Sequence, residues 1–286
     1  MEKLGITTDC VCDLPEEYFE LHDVGVLYFY ITTGTGRFRD GYELDSANVI
    51  EYLENGGEKA QTNPPKPTEY MDFFQSQLKK HEEIIHICIS SNVSESYKNA
   101  LEALTLMGED GKRVHIVDSQ HLSTGMGHLV VNAVEMCNSG KSAEEILEQA
   151  ESIKKRISTS FIADNADYLY RNGRVSKCVM KICSVLMLHP VLYLKDGKIS
   201  LKTLKTGNYG KAVKRYIKGE LGHNGKINKH RLFITHAGCT VKMISEIKEE
   251  VNKLCEFDEV IVTKASATIS GNCGAGTIGV LFVNND

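Results

Sequence analysis

Residues 67–97 read PTEYMDFFQSQLKKHEEIIHICISSNVSESY. Apolar side chains recur at helical spacing from 67 to 80, and a proline at the start favours a helix there. The run Ile84–Ile89 is apolar and β-rich, as in a buried strand, and a serine-rich segment follows it. A helix, a strand and a polar loop in this order are typical of a parallel sheet with helices on its faces.

The first half of the chain repeats this alternation. Three further β-rich runs predict strands at Leu4–Thr8, Val24–Ile31 and Val114–Val117. An apolar stripe predicts a helix over Leu122–Cys137. The capping box Ser142-Ala-Glu-Glu145 predicts another, which extends to about Arg156.

The pattern changes after Ile157. Asp196-Gly197 separates the β-rich runs Val191–Leu194 and Lys198–Thr203, which predicts a hairpin and therefore antiparallel pairing. The other predicted elements of this half are Phe161–Ala163, Val179–Leu188, Lys211–Leu221, Leu232–Thr235, Val241–Leu254, Glu259–Val262 and Ile278–Val283. We expect an α/β chain of two closely packed domains: an N-terminal parallel α/β sandwich over residues 1–157 and a C-terminal α+β domain over residues 158–286.

Composition excludes several classes of protein. The 286 residues carry a net charge of −5, with 42% hydrophobic and 25% charged residues, so the chain is neither disordered nor fibrous. The mildly acidic balance argues against nucleic-acid binding. Met1–Asp13 lacks the pattern of a secretory signal, and no apolar run approaches the ~18 residues that span a bilayer. We therefore expect a soluble, cytoplasmic protein without stable membrane insertion.

Two short patterns suggest cofactors only weakly. Cys10-x-Cys12 has no second Cys or His pair at zinc spacing, which favours two small core residues over a structural metal. Gly274–Gly279 spells G-x-G-x-x-G, but a dinucleotide fingerprint must open a helix, and the chain has seven more residues, within a β-rich run. This pattern favours a glycine-rich loop before a final strand.

Three polar segments are predicted to be loops between a strand and a helix: Thr7–Pro15 after the first strand, Gln61–Pro64 before the helix at Pro67, and Ser90–Tyr97 after Ile84–Ile89. Loops at the carboxyl ends of parallel strands form the ligand crevice of open α/β sheets. Hydroxyl groups near helix N-termini suit an anion such as a carboxylate or a phosphate. The same residues could equally be helix caps, and an enzyme that uses Asp9, Ser94 or His121 as acid–base groups is an alternative that the residues leave open.

Taken in order, these segments resemble the DegV family, whose characterised members include the fatty-acid-binding subunits of bacterial fatty acid kinase. The resemblance spans nearly the whole chain. Its motifs are ITTDCVCDLP (6–15), TNP (62–64), ISSNVS (89–94) with Tyr97, VDS (117–119) with STGMG (123–127), YLYRNGRVS (168–176), His189-Pro190 with Asp196-Gly197, and GNCGAG (271–276).

The resemblance implies a non-catalytic protein that buries one long acyl chain in an apolar tunnel and holds its carboxylate with a Thr, a Ser and a His. A separate kinase then phosphorylates the carboxyl group. No cofactor besides the bound fatty acid is implied, and no metal. The candidate ligand-binding residues are Thr62, Asn63, Ser91, Ser94, Asn272 and Cys273, and Arg174 is the candidate residue for kinase docking.

The chain departs from the family pattern at the head-group site. Asn272 stands where the family has His, and Glu95 and Ser96 replace a Gly and a Thr. Asn272 can donate a hydrogen bond but cannot become cationic, so a carboxylate would lose a contact worth about 1.5–3 kcal/mol. Ten buried methylenes contribute roughly 8 kcal/mol, so we still expect lipid binding. The alternative is a divergent member of the family. Such a protein would bind a different small ligand, or a lipid that no kinase uses.

The predicted helix over Val179–Leu188 is apolar nearly all round. Such a helix either touches the acyl chain or is an ordinary buried helix.

Overall fold

The computed structural model describes residues 2–222 and 225–285, which form three sheets and their surrounding helices. The strands are β1 Glu2–Asp9, β2 Gly25–Leu27, β3 Tyr30–Thr33, β4 Gly36–Arg39, β5 Gln61–Asn63, β6 His81–Cys88, β7 Val114–Asp118, β8 Ile157–Ile162, β9 His189–Lys195, β10 Lys198–Lys205, β11 Ile227–His236, β12 Glu259–Lys264 and β13 Ile278–Asn284. The α-helices are α1 Glu16–Leu21, α2 Ser46–Glu54, α3 Pro67–Gln77, α4 Ser96–Met107, α5 Ser123–Asn138, α6 Ala143–Ile153, α7 Asp167–Arg171, α8 Lys177–Leu186, α9 Tyr209–Leu221, α10 Val241–Leu254 and α11 Ala267–Cys273.

The N-terminal sheet has the order β2-β1-β6-β7, and every neighbouring pair is parallel. The larger sheet has the order β10-β9-β8-β13-β11-β12 and is antiparallel except for the pair β11–β12. These sheets confirm the predicted α/β class and its parallel first sheet. The hairpin at Asp196-Gly197 is also confirmed, with both residues at positive φ (50° and 75°) as a tight hairpin turn requires. The larger sheet begins at Ile157, while the domain boundary near that residue stays a prediction.

Helix α5 connects the two sheets. It is buried along most of its length and packs against β1 and β6 on one side and against β8, β11 and β13 on the other. Gly125 permits this approach, because a Cβ atom built there would lie 2.0 Å from Thr159 Oγ1. His128 Nε2 and the carbonyl oxygen of Leu281 lie 3.1 Å apart, which adds a polar contact in the same interface. The N-terminal and larger sheets therefore share one continuous core.

The predicted strand Val24–Ile31 is wrong as a single element. The chain forms β2, which joins the parallel sheet, and then β3, which joins a separate three-stranded antiparallel sheet of order β4-β3-β5. Between them the backbone N–H of Phe29 donates to Cys10 Sγ at 3.2 Å. Cys12 is fully buried in the core, and Cys10 packs against it, as the core interpretation of this pair predicts.

Neither interpretation of the Val179–Leu188 segment is confirmed. It does form helix α8, but Cys183 is its only buried residue. Val185, Leu186 and Met187 are 79%, 62% and 78% exposed, and no residue of α8 lines the cavity described below. Among residues 2–222 and 225–285, no helix combines the length and the apolar character that a bilayer-spanning segment needs.

Candidate functional site

A cavity of about 310 Å³ lies where α11, the loop after β6 and the inner face of the larger sheet meet. This volume is at the lower end of the range for small-molecule sites. The larger apolar side chains of its wall are those of Phe29, Ile89, Val93, Leu122, Phe161, Leu169, Ile199, Ile269 and Leu281. These residues come from both halves of the chain, so the cavity depends on the packing of both sheets.

Most hydroxyl groups in the wall are already bonded within the protein. Those of Ser123, Thr159, Ser160, Thr235 and Thr277 pair respectively with Asp13, His121, Tyr216, Thr263 and the carbonyl of Cys273. Because these polar atoms are satisfied, the same residues can present their carbon atoms to a ligand. This part of the wall is therefore less polar than its residue types suggest.

Thr62 lies on β5 rather than in the predicted loop. It pairs with Ile31 of β3, which fixes the backbone, and its side chain faces the cavity. Asn272 Nδ2 donates to Thr62 Oγ1 at 3.3 Å and to the carbonyl oxygen of Thr268 at 2.8 Å. Both amide protons of Asn272 are therefore committed, whereas within the described chain the Thr62 hydroxyl proton has no acceptor.

Ser94 lies in the loop between β6 and α4 and also lines the cavity. Its Oγ accepts the backbone N–H of Ser96 at 3.2 Å, and among the described residues nothing accepts its proton. Asn99 on α4 donates to the carbonyl oxygen of Pro65 at 2.8 Å, which ties this helix to the segment after Thr62. Thr62 and Ser94 thus each keep one hydroxyl donor for a group that only accepts.

Asp9 holds the Ser94 loop in place. Its buried carboxylate accepts the N–H of Ile89 at 3.0 Å, the hydroxyl of Ser96 at 2.5 Å and the hydroxyl of Tyr70 at 2.7 Å. Asp9, His86 and Cys88 also place one potential metal-ligand atom each within 4.8 Å of one another. Since the carboxylate already accepts three hydrogen bonds from the protein, this arrangement is that of a structural network.

Two buried carboxylates hold α11, the helix that carries Asn272. Asp40 accepts the N–H groups of Ala267 and Thr268, both at 2.8 Å, and Asp13 accepts the N–H of Ser266 at 2.9 Å. Carboxylates at a helix N-terminus satisfy N–H groups that have no partner within the helix. Burial raises the pKa of Asp40, and it raises that of Asp13 to about 7.

Sequence reasoning missed α11. Its only signals were Ser266, whose hydroxyl accepts the N–H of Ile269, and Gly274 just after its end. The glycine-rich segment does lead directly into β13 without a further helix, which confirms the predicted loop before a final strand. Gly274 has a φ of 85°, and a Cβ atom there would lie 2.3 Å from the Tyr168 ring.

The structure brings most of the predicted site residues together. Thr62, Asn63, Ser94, Asn272, Cys273 and Arg174 all line the cavity. Burial raises the pKa of the Cys273 thiol to about 12, so this side chain is a neutral wall group. Ser91 is placed elsewhere: it is exposed, and its hydroxyl donates to Asp118 Oδ2 at 2.6 Å.

The acid–base groups of the enzymatic alternative are not assembled at this cavity. Of Asp9, Ser94 and His121, only Ser94 lines it. His121 is buried, with Nδ1 2.8 Å from Thr159 Oγ1 and Nε2 2.8 Å from the carbonyl oxygen of Lys154. Burial lowers the pKa of His121 to about 4, so this ring is neutral and positioned within the core.

Comparison with known proteins agrees with this architecture. Residues 3–285 match a family model described as an uncharacterised protein of the DegV family. The chain belongs to the DegV family. A DegV domain-containing protein of Caldanaerobacter subterraneus subsp. tengcongensis is 28% identical over 283 residues, which cover 99% of each chain.

Solved structures of DegV proteins share the fold. A DegV family protein from Thermus thermophilus, described as fatty acid binding, superposes with a TM-score of 0.88 at 24% identity, covering 99% of both chains. A DegV family protein from Eubacterium eligens loaded with heptadecanoic acid gives a TM-score of 0.85 at 20% identity, covering 99% of this chain and all of that one. At these identities the likeness establishes the fold.

Proposed function

We propose that this protein binds one long-chain fatty acid in the cavity, with the carboxylate at Thr62 and Ser94 and the acyl chain against the apolar wall. The observation that carries this proposal is the state of the two hydroxyls. Each accepts a hydrogen bond from the protein, and neither proton has an acceptor within the described chain. An ionised carboxylate only accepts hydrogen bonds, so it complements two such donors.

The descriptions of two DegV relatives support a fatty acid as the ligand. The Thermus thermophilus protein is described as fatty acid binding, and the Eubacterium eligens structure holds heptadecanoic acid. We propose that Asn63 and Cys273 form the wall beside the head group. We propose that Asn272 orients Thr62, since its two amide protons are already used.

The first test is to purify the full chain under native conditions, extract it with solvent and identify the extract by mass spectrometry. We expect fatty acids in stoichiometric amount. The delipidated protein is then titrated with saturated fatty acids of increasing length. Each added methylene should tighten binding about fourfold until the cavity is full, because burying one contributes about 0.8 kcal/mol. An extract without lipid, together with no binding of any acid, would refute the proposal.

The second test removes the two donors while it preserves side-chain size. Thr62→Val and Ser94→Ala should each weaken binding of a fatty acid by about 10- to 100-fold, the loss expected for a hydrogen bond to a charged group. Ser91→Ala is the matched control, because Ser91 is exposed and outside the cavity. Equal affinities for all three variants would show that the carboxylate lies elsewhere.

We further propose, from the family resemblance, that the protein performs no chemistry alone and presents its ligand to a separate fatty acid kinase. The docking role of Arg174 stays a prediction of the same origin. Adding the kinase of the source organism and ATP to the loaded protein should yield an acyl phosphate. If fatty acid binds and no acyl phosphate forms, the protein is a carrier that does not serve that kinase.

A further inference from the structure

Arg174 is the one permanently charged cation among the described residues that line the cavity. Its Nε is buried and has no hydrogen-bond partner, and the side chain forms no ion pair with any described residue. Arg174 itself is half-buried. Its buried Nε–H without a partner has a desolvation cost that a bound anion can offset. The lowered pKa of Arg174 reflects this desolvation.

The backbone places Arg174 near the end of the cavity that holds Asn272. Asn172, two residues earlier, donates through Nδ2 to the carbonyl oxygen of Gly271 at 3.2 Å. Gly271 directly precedes Asn272, whose side chain donates to Thr62. The turn that carries Arg174 is thus docked on the same end of α11 as the proposed head-group site.

Three other polar residues that line the cavity, Asn272, His236 and Glu95, do not supply a positive charge. Asn272 is neutral and has both amide protons committed. His236 also lines the cavity, but burial and the nearby Lys264 lower its pKa, so its ring is neutral at pH 7. Glu95 is exposed to solvent and carries the wrong sign.

We infer that Arg174 supplies the counter-charge for the carboxylate of the bound acyl ligand, in addition to the hydroxyl donors Thr62 and Ser94. This inference rests on the proposed function. It makes Arg174 a ligand-binding residue that selects an anionic head group over an uncharged one. A residue that only docks a partner protein would leave ligand affinity unchanged.

The test compares palmitic acid with hexadecanol, which has the same chain length and no charge, on the delipidated full chain at pH 8. Wild-type protein should prefer the acid. Arg174→Gln should weaken binding of the acid by about 10- to 100-fold and leave hexadecanol affinity within about twofold. Arg174→Lys should retain part of the preference, because it keeps the charge but lacks the planar fork.

Arg171→Gln is the matched control. It removes the same charge, but Arg171 is exposed on α7 and lies outside the cavity. It should leave both affinities unchanged. Retained hexadecanol binding by Arg174→Gln also shows that the variant is folded. An unchanged preference of Arg174→Gln for the acid would overturn this inference alone, whereas wild-type protein that binds neither compound would overturn the proposed function and this inference with it.

Discussion

Asp40 offers a sharp test of how the site is built. Its carboxylate lies just after β4 and accepts two N–H groups of α11 at 2.8 Å, across 227 and 228 positions of sequence. Asp40→Ala would leave both N–H groups buried without a partner. Each such group costs about 1–3 kcal/mol, so we expect a loss of roughly 2–6 kcal/mol in the free energy of unfolding.

Asp40→Asn separates the contributions of the two bonds. The amide oxygen keeps one N–H partner, while its NH₂ group faces the other donor, so the loss should be about half that of Asp40→Ala. Burial raises the pKa of Asp40, which means that the native carboxylate has a desolvation cost that both substitutions remove. This relief moves both values toward the lower end of their ranges.

The assay is urea unfolding followed by far-UV circular dichroism, with fatty-acid affinity measured on the same preparations. Asp45→Ala is the control, because Asp45 caps α2 at the exposed surface and accepts one N–H at 2.8 Å. Water can replace that partner, so its loss should be about 1 kcal/mol. If Asp40→Ala is no less stable than Asp45→Ala, the buried carboxylate does not hold α11 and the reasoning is wrong.

Two further predictions concern burial. The pKa of Asp13 is raised to about 7, so between about pH 4 and pH 7 the folded chain keeps a proton that the unfolded chain releases. The wild-type free energy of unfolding therefore falls by about 1.4 kcal/mol per pH unit as pH rises through that window. Asp13→Asn lacks this titration and should gain stability relative to wild type by the same amount. A pH-independent difference in urea midpoints would contradict this. Gly125→Ala should destabilise the chain by about 1–3 kcal/mol because its Cβ meets Thr159, and Thr159→Ala should recover part of the loss. Gly210→Ala, with open space around it, should leave the midpoint unchanged or raise it.

Local patterns predicted the elements that carry a signal in their own residues. The parallel strands β1, β6 and β7, the helix α6 that Ser142 caps and the hairpin at Asp196-Gly197 each carry their own periodicity, cap or turn residues. The break within Val24–Ile31 carries no glycine or proline after Gly25. It arises because β3 pairs with β5, which is about 30 residues away, and no local pattern records that pairing.

Site residues that belong to a sequence motif could be predicted. Residues that reach the site only through tertiary contacts could not. Thr62 and Ser94 came from the family resemblance, and both line the cavity. Ser91 belongs to the same motif, but Asp118 at the end of the neighbouring strand accepts its N–H and its hydroxyl, so it stays at the surface. Asp40 could not be predicted as the support of α11, since its partners are more than 200 positions away.

The resemblance to the DegV family places a His where this chain has Asn272, so our inference assigns the positive charge at the head-group site to another residue. The Asn272 amide donates both of its protons within the protein, one of them to Thr62 Oγ1. The Thr62 hydroxyl is therefore left to act as a donor. In our inference the charge comes from a neighbouring segment, where the half-buried Arg174 has a buried Nε without a partner beside the same helix end. On this inference, orientation and charge, which one histidine ring could combine, are divided between two residues on different elements. Loss of either residue should therefore weaken head-group recognition while the apolar wall continues to hold the acyl chain.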